Sequence, residues 1–171
     1  IMSLRDGQSV SAMFAPAQRC STAGFCWQNP LPAGDALVKV HGVGPNEAWS
    51  VGASGVILRW NGTFWIPQLS PVSSKLRGVF GTGPNDFWFV GDSGAIVRWD
   101  GKQLRAMSGQ SQNLNAVWGS SASDVFIVGA AGTILHFNGT DLTLLPSGTT
   151  ETLLGVSGTS ASDVWIVGHK G

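Results

Sequence analysis

Three histidines, two cysteines and four evenly placed carboxylates are the residues here with the chemistry to act on a substrate or hold a metal. A Ser-His-Asp arrangement needs a nucleophile beside a base and an acid to orient it. His41, His136 and His169 fall at unrelated positions of the sequence pattern, and no Ser, Asp or Glu stands beside them in a recognised nucleophile context. Cys20 and Cys26 are six apart with no His at a zinc-like spacing, too few ligands for a metal site. Glu47, Asp86, Asp124 and Asp163 all occupy one repeated position, unlike the non-repeated carboxylate pair of a glycosidase. The Gly-x-Gly steps at Gly42–Gly44 and Gly81–Gly83 lack the following helix that a dinucleotide site needs. The expectation is no catalytic residue, no metal and no cofactor. The cysteines are read as a local disulfide across a hairpin, with two free buried thiols as the alternative; a bridge would place the protein in an oxidising compartment.

Those residues are positioned by a repeat. The motif L-x-x-V-x-G-(4 residues)-[DE]-x-[WF]-x-V-G starts at Leu37, Leu76, Leu114 and Leu153, and three copies continue into G-x-I-x-x-[WF]-[ND]-G. The closing glycines are Gly52, Gly91, Gly129 and Gly168, a period of 38 or 39 residues. In the first copy the apolar runs are Leu37 to His41, Ala48 to Val51 and Val56 to Trp60, with a weaker one at Thr63 to Leu69. Runs rich in Val, Ile, Trp and Phe between Gly, Asn, Asp and Pro clusters read as strands and turns. Asn61-Gly62, Asp100-Gly101 and Asn138-Gly139 join the last two runs and predict type I′ hairpin turns with positive φ at both residues. Four antiparallel strands per unit of about 40 residues is a propeller blade. No stretch has helical apolar spacing, and 24 glycines would weaken a helix.

The fold class is therefore all-β, a β-propeller of about four four-stranded blades forming a single domain over residues 1–171. Residues 1–34 are a closing segment carrying the Cys pair; the repeats are 37–75, 76–113, 114–152 and a partial 153–171. Gly24-Phe25-Cys26-Trp27 lines up with Gly62-Thr63-Phe64-Trp65 one repeat later. The run beginning at Trp27 and the run Ser9 to Phe14 are thus expected to complete the last blade, removing its exposed edge. The opening at Ile1 without a charged-then-apolar leader fits a processed or truncated product.

Composition narrows the partners. Hydrophobic residues make up 43% of the chain, eight of them Trp, enough for a sizeable core. Only 12% are charged, ten of each sign, which leaves no basic footprint for nucleic acid. No apolar run approaches membrane-spanning length. Low charge and abundant Gly, Ser and Thr suit an extracellular, periplasmic or outer-surface protein.

In a repeat protein, function should lie where the copies differ. The repeated acids are expected to accept backbone N–H bonds in turns, and the repeated rings Trp49, Trp88, Phe126 and Trp165 to pack between blades. Three variable columns remain: His41, Phe80, Trp118 and Ser157 before the first-strand glycine; Val38, Arg77, Asn115 and Leu154 after the opening leucine; and the loops holding Asp92-Ser93 and His169-Lys170. The first strand of a blade lines the channel, so these columns are expected at its mouth. His41, Arg77, Phe80, Asp92, Asn115, Trp118, Ser157 and His169 are the candidate ligand-binding residues, suited to a polar ligand or sugar.

The pieces DVFIVGAAGTILHFNGT and DVWIVGHKG, with FCWQNPLP ahead of the first repeat, resemble the tandem repeats of secreted or lipid-anchored β-propeller proteins of myxobacteria and related bacteria. They are distantly similar to the repeats of photosystem II assembly-factor propellers and of sialidases. The likeness covers about residues 20 to 171 and implies the fold. Trp60-Asn61-Gly62-Thr63-Phe64-Trp65 is one residue shorter than the sialidase Asp-box, so sialidase chemistry is not implied. The expected function is non-enzymatic recognition of a glycan or protein ligand at the channel mouth. A structural or assembly part of a larger propeller or oligomer is the alternative, with a hydrolase or lyase a lesser one.

Overall fold

The computed structural model describes residues 19–20, 26–27, 35–108 and 110–170. The chain divides into two units, Ile1–Pro32 and Ala33–Gly171. In the first, β1 (Arg19–Cys20) and β2 (Cys26–Trp27) pair antiparallel, and their register sets Cys20 opposite Cys26. The strands expected at Ser9 to Phe14 and over residues 28–31 lie outside the described residues, as does the bond between the cysteine side chains.

The second unit is an all-β propeller of about four blades. Blade 1 holds β3 (Leu37–Gly44), β4 (Glu47–Gly52), β5 (Ile57–Trp60) and β6 (Trp65–Gln68) in sheet order. Blade 2 holds β7 (Leu76–Gly83), β8 (Asp86–Gly91), β9 (Ile96–Trp99) and β10 (Leu104–Met107). Blade 3 repeats this with β11 (Leu114–Ser121), β12 (Asp124–Gly129), β13 (Ile134–Phe137) and β14 (Leu142–Leu145). Blade 4 comprises the pair β15 (Leu153–Ser160) and β16 (Asp163–Gly168). Every described pairing is antiparallel, and no α-helix occurs among the described residues.

Two layers of side chains hold the blades together. Trp49, Val51 and Ile57 of blade 1 bury against Leu76, Val79, Phe87, Phe89 and Trp99 of blade 2. Trp88, Val90 and Ile96 of blade 2 do the same against Leu114, Val117, Val125, Ile127, Leu135 and Phe137 of blade 3. Successive residues of a strand point to opposite faces. Each blade therefore has one face that receives its predecessor and another that covers its successor.

The closing V-G step has a steric cause. The backbone of Gly91 is extended at φ −169, which any residue adopts. However, a Cβ there would overlap the Lys75 carbonyl on the connection entering the same blade, and Gly52, Gly129 and Gly168 meet the same obstacle. The connection lies that close because Asp92 N–H donates to Lys75 O at 2.9 Å, with counterparts from Ala53 to Ala36 and from Ala130 to Asn113.

The joint after the third strand differs from the type I′ expectation. Gly62, Gly101 and Gly139 have positive φ, whereas Asn61, Asp100 and Asn138 do not. The side chain of Asn61 instead accepts from the N–H groups of Thr63 and Phe64 at 2.9 and 3.0 Å, and Asp100 and Asn138 repeat this. The acid or amide closes an Asx-type turn, which makes left-handed backbone at that residue unnecessary.

Candidate functional site

The first strand of every blade carries two bulges at the same places. Register slips between Leu37 and Lys39 and between Gly42 and Gly44, with counterparts in blades 2, 3 and 4. The residues in the first bulge are Val38, Arg77, Asn115 and Leu154, one of the variable columns. A bulge re-aims its side chain away from the ladder, and here it frees the position from the repeated core.

At this end of the propeller the variable residues engage one another and the backbone. The Arg77 guanidinium pairs with Asp92 of the loop after β8. Asn115 Nδ2 donates to Leu153 O of the next blade at 2.8 Å, and Asn113 Oδ1 accepts from Ser93 N–H at 2.9 Å. His169 is exposed, and beside it Lys170 pairs with Glu151 at 2.8 Å. Two open grooves run between the loops after the second strands and the connections into the next blades. One, of about 760 Å³, is lined by Gln110, Gln112, Thr133, Ser147, Thr149 and Glu151, with Leu144 and Leu145 on its wall. The other, of about 550 Å³, lies one blade earlier between Ser74, Ser93, Gln110 and Ser111, with Ile96 and Met107. Gln110 borders both.

The other four candidates sit elsewhere. The strand continues past its glycine to Gly44, which puts His41, Phe80, Trp118 and Ser157 in mid-strand, opposite Trp49, Trp88, Phe126 and Trp165. They form a row across the blades. The His41 and Phe80 ring centroids are 4.7 Å apart, those of Phe80 and Trp118 are 6.3 Å apart, and the Trp118 ring occupies the space a Cβ on Gly158 would need. Ser157 ends the row, exposed. The eight candidates thus divide into a packed row (His41, Phe80, Trp118, Ser157) and an end group (Arg77, Asp92, Asn115, His169).

Burial holds the His41 pKa below its ordinary 6.5, a hydrogen bond to the Gly81 carbonyl opposes this, and Lys39 adds to the lowering. With a depressed folded-state pKa, the unfolded chain binds more protons, so stability rises with pH. The contribution of His41 is therefore full above about 6.5 and lost as pH falls below it. His41→Phe, which copies the Phe80 position, is expected to remove that part of the pH dependence. Thermal melts of both proteins between pH 7.5 and 5 check it, and an unchanged slope would contradict the assignment.

The repeated acids do not bind turn N–H groups as expected; their partners are side chains. Glu47 accepts from Trp49 Nε1 at 2.6 Å and pairs with Arg59 at 2.7 Å. Asp86 accepts from Thr82 Oγ1 at 2.8 Å and pairs with Arg98 at 2.9 Å. Asp124 takes the Ser120 hydroxyl and the His136 ring, and Asp163 takes Thr159 and Trp165 Nε1. Burial pushes Asp124 up, while Ser120 and His136 more than offset it and leave its carboxyl below the ordinary value. The hydroxyls come from the second bulge, and the bases Arg59, Arg98 and His136 share one third-strand position. Sequence reasoning missed both. The hydroxyl four residues before the acid was a readable signal in blades 2 to 4, and Val43 breaks it in blade 1.

The arginines also reach forward. Arg59 lies over the Trp99 ring of blade 2 at 5.2 Å, and Arg98 over Phe137 of blade 3 at 4.9 Å, with its Nη2 donating to Ala122 O at 3.2 Å. His136 stacks instead on Phe126 of its own blade at 4.4 Å. These groups fasten blades together. Among the described residues no cluster of three or more His, Cys, Asp or Glu could hold a metal ion, and no helix is long and apolar enough to cross a membrane.

No family profile and no curated protein matches the chain. Solved structures do. YCF48 bound to a D1 peptide superposes with TM-score 0.61 at 14% identity, over 80% of this chain and 48% of that one. YCF48 from Cyanidioschyzon merolae gives TM-score 0.60 at 17% identity, over 77% of this chain and 50% of that one. The chain spans about half the length of these structures, and what they share with it is the β-propeller fold.

Proposed function

We propose that the chain is a non-enzymatic recognition module that binds a protein ligand, in the form of an extended peptide segment, along the end of the propeller bearing Arg77, Asp92, Asn115 and His169. The observation that carries this reading is the pair of grooves at equivalent places in successive blades. Each offers amide and hydroxyl groups beside apolar side chains, Leu144 and Leu145 in one and Ile96 and Met107 in the other. An extended segment presents backbone N–H and C=O groups at a regular rise, which a row of Gln, Ser and Thr suits. A propeller of the same fold with a peptide bound supports this, as a likeness of fold. A glycan, whose hydroxyls the same amides would suit, is the other ligand class.

Arrays of peptides and of glycans, followed by titration of any hit, test the reading. Gln110→Ala, at the residue shared by both grooves, is expected to weaken peptide binding about tenfold, the effect of losing one to two hydrogen bonds, with the melt unchanged. Glycan hits alone would replace the peptide by a sugar. Loss of binding only in Trp118→Ala would move the site to the mid-strand row.

The finer likeness to secreted or lipid-anchored bacterial propellers, and with it an extracellular or periplasmic location, belongs to the same proposal. The β1–β2 register supports a Cys20–Cys26 disulfide as its mark. A loop this short should contribute on the order of 2 to 3 kcal/mol. Intact-mass measurement after alkylation, with and without reductant, is expected to show no free thiol in the unreduced protein; two alkylated cysteines would refute the bridge.

A further inference from the structure

The turns that close the outer hairpins of blades 1 to 3 differ by one functional group: Asn61-Gly62 and Asn138-Gly139 carry an amide where Asp100-Gly101 carries a carboxylate. The bonding is the same in all three. Asn61 Oδ1 accepts from Thr63 and Phe64 N–H at 2.9 and 3.0 Å, and Asn138 Oδ1 from Thr140 and Asp141 N–H at 3.0 and 2.8 Å. Asp100 Oδ1 takes Lys102 and Gln103 N–H, both at 2.9 Å. Asn61 and Asn138 are exposed. Among the described residues nothing accepts from the N–H of Gly62 or Gly139, or from the side-chain NH2 of either asparagine.

This geometry meets the demands of a reaction between an asparagine and its own backbone, in which the nitrogen of the next residue attacks Cγ. Such an attack needs an open nitrogen and a carbonyl oxygen able to carry negative charge. Glycine supplies the first, because no Cβ stands beside its nitrogen. The two N–H groups on Oδ1 supply the second, since donors aimed where charge develops lower a barrier. The fold cannot dispense with these glycines: their φ values are +93 and +98, and a Cβ would run into Asn46 at Gly62 and into Ser123 at Gly139. Asn46, Asn85, Asn113 and Asn115 are instead followed by Glu47, Asp86, Leu114 and Ala116, whose side chains hinder the approach.

We propose that Asn61 and Asn138 are self-modifying sites, at which the amide is lost as ammonia and replaced by a carboxylate while the blades stay folded. Gly62 N gives its proton to water and bonds to Asn61 Cγ; the Cγ–Nδ2 bond breaks, ammonia leaves, and a five-membered cyclic imide remains. Water then adds at Cγ and breaks the new Cγ–N bond, which returns a proton to Gly62 N and leaves aspartate. Blade 2 shows that this product fits. There the N–H groups of Gln103 and Lys102 hold the Asp100 carboxyl below its ordinary range. Opening the imide at the main-chain carbonyl would instead lengthen the backbone by one carbon and take the acceptor out of the turn. The third strands begin at the grooves and end at these turns, so two negative charges appear at the far end of the blades on a chain of zero net charge. Peptide binding at the grooves and this conversion are independent.

Incubation of the full chain at pH 8 and 37 °C, followed by digestion and mass spectrometry, tests this, with circular dichroism confirming that the fold persists. Conversion at Asn61 and Asn138 is expected to be about tenfold or more faster than at Asn46, Asn85, Asn113 and Asn115, the effect of one or two hydrogen bonds on a barrier. It should be no slower in the folded protein than in a urea-unfolded sample. A double variant, Asn61→Asp with Asn138→Asp, should melt with the wild type. Conversion confined to urea would overturn the proposal, because the turn would then be holding the carbonyl away from the glycine nitrogen. So would equal rates at all six asparagines, a mainly isoaspartyl product, or a double variant that melts well below the wild type.

Discussion

Trp88→Ala is expected to destabilise the protein by about 3 to 5 kcal/mol, the usual cost of truncating a large buried aromatic. Trp88 is wholly buried between blades 2 and 3, with its ring 4.9 Å from Phe137 and the Arg98 guanidinium 4.9 Å above it. Its Nε1 makes no hydrogen bond to the described protein, so packing is what the substitution removes. Neighbouring strands fix the walls of the resulting cavity, and a β-sheet has little freedom to collapse into it. Trp165→Ala, at the same repeat position but on the open face, is the control. That substitution should cost less than about 1 kcal/mol, as surface changes do. Chemical denaturation of both reads the difference, and equal losses would contradict the exposure of Trp165.

Arg98→Leu is expected to cost about 2 to 4 kcal/mol through a different mechanism. The substitution keeps apolar bulk and removes the cation facing Asp86, a carboxylate that is 7% exposed. The Thr82 hydroxyl remains as its partner, but a buried charge without its counter-ion is a severe defect, typically 3 to 5 kcal/mol. Arg98 is itself partly exposed, which places the expectation at the lower end of that range and just below it. The tie to Ala122 O of blade 3 is lost at the same time. Asp86→Asn in the Arg98→Leu background should recover part of the loss, because the uncompensated charge is gone. No recovery would mean that the guanidinium acts through its stacking on Trp88 and Phe137 alone.

The architecture was legible because it is periodic. The motif beginning at Leu37 placed all four strands of blade 1 within a few residues of where they lie, and Trp49 and Trp88 between blades. What a one-dimensional period does not contain is which residues face each other across the ladder. The column of His41, Phe80 and Trp118 varies, and variation suggested a channel mouth. In the fold these rings pack against one another at a tilt, so the variation reflects mutual packing along a row. The turn at Asn61-Gly62 was misread for a related reason: the side chain of Asn61 serves the turn itself, whereas the type I′ pattern treats it only as a residue that tolerates positive φ. The bases Arg59, Arg98 and His136 escaped notice because the third breaks the column chemically while keeping the position. In the end group, the pairing of Arg77 with Asp92 depends on a bulge that strand periodicity cannot reveal.

Arg59 and Arg98 each hold an acid of their own blade and reach an aromatic ring of the following one. A blade built this way carries adhesive on one side and its receptor on the other. Tandem duplication of such a unit creates a working joint at once, with no matching surface to be invented. The same property makes the number of blades a weakly guarded quantity in this architecture, since adding or losing one leaves every remaining joint chemically intact.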